Sequence, residues 1–157
     1  MIMEVGQGMS KETIYNFLYN HATAFVDYWV DTYYVHTEEH KLRIDEKNYL
    51  TGYKRECLYL FQAQQEAMLN DSDINSLCYG IGEDRAAMST PYKEVYLNFF
   101  KFNDTVIEFL INAQKSNQIV ISDADVIDYM KIQKKHEVHN NYALFTGYMG
   151  YTTSLFD

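Results

Sequence analysis

A chain of 157 residues can form one domain with its own core, and 47% of these residues are hydrophobic, including 15 tyrosines and 9 phenylalanines. The formal charge of -9, from 13 basic and 22 acidic residues, argues against nucleic acid as a partner, because binding a phosphate backbone requires clustered cations. No segment reaches the roughly 18 uncharged apolar residues of a membrane span, and no signal peptide begins the chain, so we expect a cytoplasmic protein.

The first half of the chain predicts two long helices that follow a loose tail at residues 1–9. In the first helix, from Lys11 to about Val35, apolar residues recur every three or four positions. Ser10 is its predicted N-cap, with Met9 and Ile14 as a hydrophobic staple. The second helix is predicted to begin near Asp45, with Ile44 and Tyr49 as its staple, and to end at residues 70–73.

The second half predicts three more helices. One runs from about Ile74 to Met88, where Gly80 and Gly82 loosen it or permit close helix packing. The next begins at Pro91, and the last begins near Asp123, after a capping-box pattern. No segment alternates like a strand, so we predict an all-α, globin-like bundle of about five helices, with residues 10–157 as a single domain.

The last two helices carry the most regular apolar patterns. In the fourth helix the apolar positions are Val95, Phe99, Phe102, Val106, Phe109 and Ala113. In the fifth they are Val138, Tyr142, Phe145, Met149, Thr152 and Phe156, although Gly147 and Gly150 each weaken that helix by about 1 kcal/mol. This second seam is the predicted site of self-pairing, with Val138, Phe145 and Met149 in the dimer interface.

Few residues are candidates for catalysis. His36 and His40 match an H-x-x-E-H zinc pattern, but the pattern lies in a polar stretch where solvated histidines are the simpler interpretation. With His136 and His139 they would form a metal site, which makes a metal-binding helical protein the weakest alternative. No serine or cysteine lies in a nucleophile motif, Cys57 and Cys78 fit buried reduced thiols, and we predict that the protein is not an enzyme.

Two polar residues fall within apolar stripes. Arg85 lies in a helix with few charges and needs an anionic partner, which is either a carboxylate on another helix or the carboxylate of a ligand. His21 lies on the apolar stripe of the first helix and is either a hydrogen-bonded core histidine or a ligand contact.

The run Tyr79-Gly80-Ile81-Gly82-Glu83-Asp84-Arg85-Ala86-Ala87-Met88, followed by Val95, Phe99, Val106 and Leu110, resembles the pattern of haem-free globin-like sensor domains. Such domains begin stressosome co-antagonist proteins of the RsbR type and certain sporulation sensor histidine kinases. The opening run from Ile14 to Leu18, with Trp29 on the same helix, is similar as well. Because no kinase or STAS domain follows, the chain most resembles the stand-alone sporulation-inhibitory sensor proteins of this family.

The resemblance implies a globin fold without haem, a homodimer, and a fatty acid in an internal tunnel with a halide ion such as chloride nearby. It also implies competition with a sporulation sensor histidine kinase for its signal. The residues independently oppose haem binding, because no histidine that could be a proximal ligand occurs between Lys41 and Lys135.

The tunnel residues are predicted from their chemistry, since the resemblance does not assign them. Arg85 or His21 would meet the acid head group, and the predicted lining consists of Phe25, Trp29, Phe99, Phe102, Val106 and Tyr142. The competing hypothesis is a protein–protein interaction module of a stress-signalling complex, with a solid core and the last helix's seam docked on a partner.

Overall fold

The computed structural model describes residues 12–154, and within them all regular structure is helical. Helix α1 covers residues 12–20 of the described part, and α2 spans Ala22–Thr32. A 3-10 turn at Tyr34–His36 leads into the short α3, Glu38–Arg43. The longer helices are α4 (Tyr49–Asn70), α5 (Asn75–Ala87), α6 (Tyr92–Lys115) and α7 (Asp123–Ser154).

The all-α prediction is confirmed, although the described residues form seven helices rather than about five. The predicted first helix is divided at His21, whose Nδ1 lies 2.7 Å from the carbonyl oxygen of Phe17 and donates a hydrogen bond to it. The backbone N–H of His21 donates to the same Phe17 carbonyl at 3.0 Å and to the Leu18 carbonyl at 3.2 Å. This competition for one acceptor accompanies the kink between α1 and α2. The predicted loose tail, the Ser10 cap with its Met9 staple, and Phe156 lie outside the described residues.

Local signals placed most of the remaining helix boundaries correctly. Ser122 Oγ accepts from the Asp125 backbone N–H at 3.1 Å, and the Asp125 carboxylate accepts from the Ser122 N–H at 2.9 Å, which is the predicted capping box. The predicted staple of α4 is wrong. Ile44 is exposed, and the helix begins only at Tyr49, after Asn48 adopts a left-handed conformation with φ of 63°.

The core lies where α2 packs on α4 and α6, and a second layer is formed by α5 and α7. Phe25 stacks on Phe61 with ring centroids 4.3 Å apart and meets the edge of Phe102 at 5.3 Å. Trp29 meets Phe102 edge-on at 5.7 Å. Such close aromatic pairs fill the interior with large rigid side chains, so the centre of the described bundle is densely packed.

The contact between α5 and α7 is the most extensive between any two described helices, because two glycines lie where their backbones meet. A Cβ atom on Gly82 would lie 2.1 Å from the carbonyl oxygen of Leu144, and one on Gly147 would lie 2.0 Å from that of Tyr79. The prediction of close packing is therefore correct for Gly82, whereas Gly80 has open space around its Cα. Gly147, which was predicted to weaken its helix, makes this close crossing possible.

Candidate functional site

The side chains predicted to line a tunnel lie in the interior, with one exception. Phe25, Trp29, Phe99, Phe102 and Val106 are all buried and belong to one core cluster. Tyr142 is 69% exposed on the outer side of α7, so its prediction as a lining residue is wrong. Tyr142 belongs to the more apolar stripe of α7, so hydrophobicity alone would have turned it toward the interior.

A small cleft lies between Arg85 and the buried aromatic residues in the described structure. Its volume is about 40 Å³, and its walls include Arg85, Phe99 and Phe102, together with Tyr53 and Cys57. Sites that enclose organic ligands usually measure roughly 300–1,000 Å³. In the conformation described, the cleft is therefore too small for the hydrocarbon chain of a fatty acid.

Arg85 is buried, and three carboxylates occupy its guanidinium group. Its Nε donates to Glu39 Oε1 at 2.8 Å, its Nη1 to Asp84 Oδ2 at 2.8 Å and to Glu56 Oε2 at 3.2 Å, and its Nη2 donates to Glu56 Oε1. The internal ion pair, one of the two interpretations of this residue, is therefore the arrangement present. The donors that were predicted to meet a ligand carboxylate are already bonded.

The charges around Arg85 hold it in the protonated state. Burial alone would lower the pKa of Arg85, but the charge of Glu56, its hydrogen bond and the charge of Glu39 raise that pKa further than burial lowers it. Glu39 also accepts a hydrogen bond from Asn98 Nδ2 at 2.7 Å. Sequence reasoning anticipated an acidic partner on another helix but did not identify Glu39, Glu56 or Asn98, because the contacts span 29 to 59 positions.

The predicted histidine candidates do not converge on a site. His21 is exposed, its ring stacks on Phe17 with centroids 4.1 Å apart, and it does not line the Arg85 cleft. His40 donates a ring hydrogen bond to the carbonyl of Val35. Within residues 12–154, no three His, Cys, Asp or Glu side chains lie close enough together to hold a metal ion, so the four-histidine metal site has no support there.

The predicted dimer seam lies on the surface. Val138 is 67% exposed and Phe145 42%, and Met149 is exposed beside them. The opposite side of α7 is the one that packs into the bundle, and its buried residues are Val126, Tyr129, Gln133, Asn140, Ala143, Leu144 and Gly147. The seam therefore contributes little to the core and is available to a partner.

Exposed aromatic residues of α6 continue this surface. Tyr96 and Phe100 share a surface groove of about 350 Å³ with Val138, and Phe145 packs against Tyr92 with ring centroids 5.5 Å apart. We define the outer face by these exposed apolar residues of α6 and α7, namely Tyr96, Phe100, Val138, Tyr142, Phe145 and Met149. A contiguous apolar surface of this kind is typical of an interaction site.

Polar groups of both signs border the groove of the outer face. Lys134 lies beside Asp104 and Glu137 along its walls. Burial raises the pKa of Glu137, the charge of Lys134 lowers it, and that of Asp104 raises it. The Oδ1 of Asn141 is buried in the wall and accepts no hydrogen bond from the described residues.

Comparison with known proteins gives no relative for this chain. It matches no protein-family model, no curated protein and no solved structure. The likeness to haem-free globin-like sensor domains stays a prediction from the motifs quoted above. Within the described residues, no helix has the length and apolar character needed to cross a membrane.

Proposed function

We propose that this protein is a non-enzymatic helical interaction module, which pairs with a second copy of itself through the outer face. The observation that carries the proposal is the position of the four-three seam of α7, whose apolar side chains point away from a bundle that is already packed. Exposing this much aromatic and aliphatic surface to water is unfavourable in free energy, and burying it against a partner is favourable.

The chemistry of the outer face supports self-pairing over a strongly charged partner. A two-fold symmetric interface must be complementary to itself, because the same patch contributes from both subunits. The apolar outer face meets this condition, because its side chains can pack against the same side chains of a second copy. The border also carries charges of both signs, Lys134 together with Asp104 and Glu137, so two copies of the face do not meet as surfaces of a single charge.

Replacement of Val138 by glutamate tests the proposal, because this side chain is exposed and makes few contacts within its own chain. We expect the wild-type protein to sediment as a dimer and Val138→Glu to weaken dimerisation by at least about 100-fold, since a desolvated, unpaired charge costs about 3 kcal/mol and a symmetric dimer carries two of them. Tyr59→Glu is the matched control, because Tyr59 is 66% exposed on α4, outside the outer face.

Sedimentation equilibrium over a range of protein concentrations measures these constants, and circular dichroism verifies that each variant is folded. A monomeric wild-type protein at high concentration contradicts the proposal. Equal dimerisation of Val138→Glu and wild type contradicts it too, because the outer face would then lie outside the interface.

A second candidate function is ligand sensing, and the specific observation in its favour is the cleft that joins Arg85 to Phe99 and Phe102. These are three of the residues predicted to bind a fatty acid. In this proposal the protein acts in the cytoplasm, where it binds the signal of a sporulation sensor histidine kinase and so restrains that kinase. Accommodating a hydrocarbon chain requires the surrounding side chains to move apart, as in a cryptic pocket.

Native mass spectrometry of the protein purified without added ligand tests ligand sensing. We expect a complex heavier than the polypeptide by the mass of one fatty acid, which organic solvent then extracts. Bare polypeptide, combined with no change in thermal stability when myristate is added, contradicts this second proposal. Dimerisation is measured separately, so the two proposals can fail independently.

A further inference from the structure

Helix α3 is attached to the bundle in an unusual way. Its one buried side chain is the carboxylate of Glu39, which is 2% exposed. The apolar residue Leu42 of α3 is 53% exposed, and Ile44, the first residue after the helix, is 65% exposed. A short surface helix is normally held by an apolar stripe turned toward the core. Here that stripe is turned toward solvent, and a charged group is turned inward.

Polar contacts with the α5–α6 junction hold α3 in place. Glu39 accepts hydrogen bonds from Arg85 of α5 and from Asn98 of α6, through different carboxylate oxygens. Arg43 Nη2 donates to the Met88 carbonyl at 2.7 Å and to Thr90 Oγ1 at 2.8 Å. Apart from these anchors, the His40 ring contacts the edge of Tyr34, which belongs to the adjoining 3-10 turn.

The Glu39 end of α3 lies over the apolar cleft. Glu39 lines this cleft together with Tyr53, Cys57 and Phe99, so the carboxylate forms part of the wall that covers Cys57. The thiol of Cys57 is close enough to Glu39 for the charge of that carboxylate to raise its pKa, although burial is the main cause of the rise. Moving α3 outward would therefore open a path from solvent to Cys57.

Both ends of the segment have backbone conformations outside the helical region. Thr37 precedes α3 with an extended backbone, at φ of -83° and ψ of 158°, and Asn48 follows the segment with a positive φ of 63°. Segments with few buried apolar contacts open locally at low free-energy cost, and the residues at their ends absorb the change in backbone angles.

We infer that residues 38–47 form a latched lid, which swings away from the α5–α6 junction while the rest of the bundle stays folded. Glu39 is the latch, because its two carboxylate oxygens join the lid to Arg85 and Asn98 at once. Opening exposes the apolar cleft and Cys57. The outer face is distinct from this lid, because Arg85, Asn98, Met88 and Thr90, which anchor α3, are not among the residues that define that face.

The two cysteines of the chain report lid opening directly. Both thiols are buried, and burial raises the pKa of each to about 12, so their reactions with a maleimide are suppressed alike in the closed state. Cys78 lies outside the cleft that Glu39 lines. A difference between their labelling rates therefore separates a local opening from global unfolding.

The experiment compares maleimide labelling of Cys57 and Cys78, each followed by peptide mass spectrometry, in Glu39→Gln and in the matched control Glu38→Gln. Glu38 is the neighbouring glutamate of the same helix, and its exposed carboxylate pairs with the exposed Lys41. We expect Glu39→Gln to accelerate labelling of Cys57 about tenfold or more and to leave Cys78 unchanged, whereas Glu38→Gln changes neither.

A milder variant keeps the test valid if Glu39→Gln folds poorly. Asn98→Ala removes one donor to the latch and retains the ion pair with Arg85, so we expect a smaller acceleration confined to Cys57. The inference is overturned if Cys57 reacts no faster in Glu39→Gln than in Glu38→Gln. It is also overturned if both cysteines accelerate equally in either latch variant, because the opening would then be global.

Discussion

Gly80 and Gly82 lie two residues apart in α5, and replacing each by alanine is expected to change stability in opposite directions. No atom lies within 4 Å of a Cβ built on Gly80. Gly80→Ala therefore gains only the helix propensity of alanine, which is about 1 kcal/mol over glycine. In a domain of this size, that gain corresponds to a rise in melting temperature of about 2–4 °C.

At Gly82 the same propensity gain is outweighed by a collision of the new Cβ atom with the backbone of α7. The new Cβ would lie 2.1 Å from the Leu144 carbonyl oxygen and 2.8 Å from the Tyr148 nitrogen, and neither atom is at the end of a flexible side chain. Helices α5 and α7 must therefore move apart, although their contact is the most extensive between any two described helices. Overpacking costs about 1–3 kcal/mol where side chains can adjust, and a collision with backbone belongs at the upper end of that range or above it. After the propensity gain of about 1 kcal/mol is subtracted, we expect Gly82→Ala to lower the free energy of unfolding by about 2 kcal/mol or more.

Urea denaturation and calorimetry of the two variants and wild type measure these changes under identical conditions. Gly52→Ala in α4, where a Cβ also meets nothing within 4 Å, is a second control for the propensity gain. If Gly82→Ala proved as stable as Gly80→Ala, the close crossing of α5 and α7 would be wrong. A destabilised Gly80→Ala would refute the open space assigned to that position.

Three further predictions concern buried charge, protonation and capping. Arg85→Met leaves Glu39 without its cation and is expected to lower the free energy of unfolding by about 3–5 kcal/mol in urea denaturation while the lid stays closed. Adding Glu39→Leu should recover much of that loss. A loss below about 1 kcal/mol, with Cys57 labelled as slowly as in wild type, would contradict the buried ion pair. Burial lowers the pKa of His136 below 6.5, so the unfolded state binds its proton more readily, and stability falls as pH drops from above 6.5 through the folded-state pKa. The free energy of unfolding of His136→Gln minus that of wild type should therefore be more positive at pH 5.5 than at pH 8. A difference that does not change with pH would refute this. Ser122→Ala removes the cap of α7 and should cost about 0.5–2 kcal/mol by thermal denaturation, whereas Ser116→Ala, at a helix C-terminus, should cost less.

The sequence was sufficient where one helix carries a single apolar stripe or a local capping motif. In α6 the residues at four-three spacing, including Val95, Phe102 and Val106, are buried, with Phe109 partly buried, because a helix with one strongly apolar side buries that side. The capping box at Ser122 and Asp125 was equally predictable, since both partners lie within one helical turn.

Helix α7 shows what local patterns could not decide. Its more apolar stripe, with Val138 and Phe145, lies outside, while the stripe with Gln133, Asn140 and Gly147 lies inside. Hydrophobicity alone would choose the opposite orientation. The inner stripe packs inward because Gly147 lets α5 approach at backbone distance, and because Gln133 donates to the backbone carbonyl of Asn103 at 2.9 Å.

Arg85 is a second case in which the sequence indicated part of the answer and the tertiary structure decided the rest. Its residue type in an apolar context required a buried anionic partner, and that much followed from the cost of burying an unpaired charge. Which carboxylates meet it depended on the packing of α3 and α4 against α5, which brings Glu39 and Glu56 from positions 46 and 29 residues away. Chain composition and periodicity determined the helices and the need for pairing. Only the tertiary structure decided which sides of the helices meet and which stay available to a partner, because that choice depends on backbone approach and side-chain reach between distant segments.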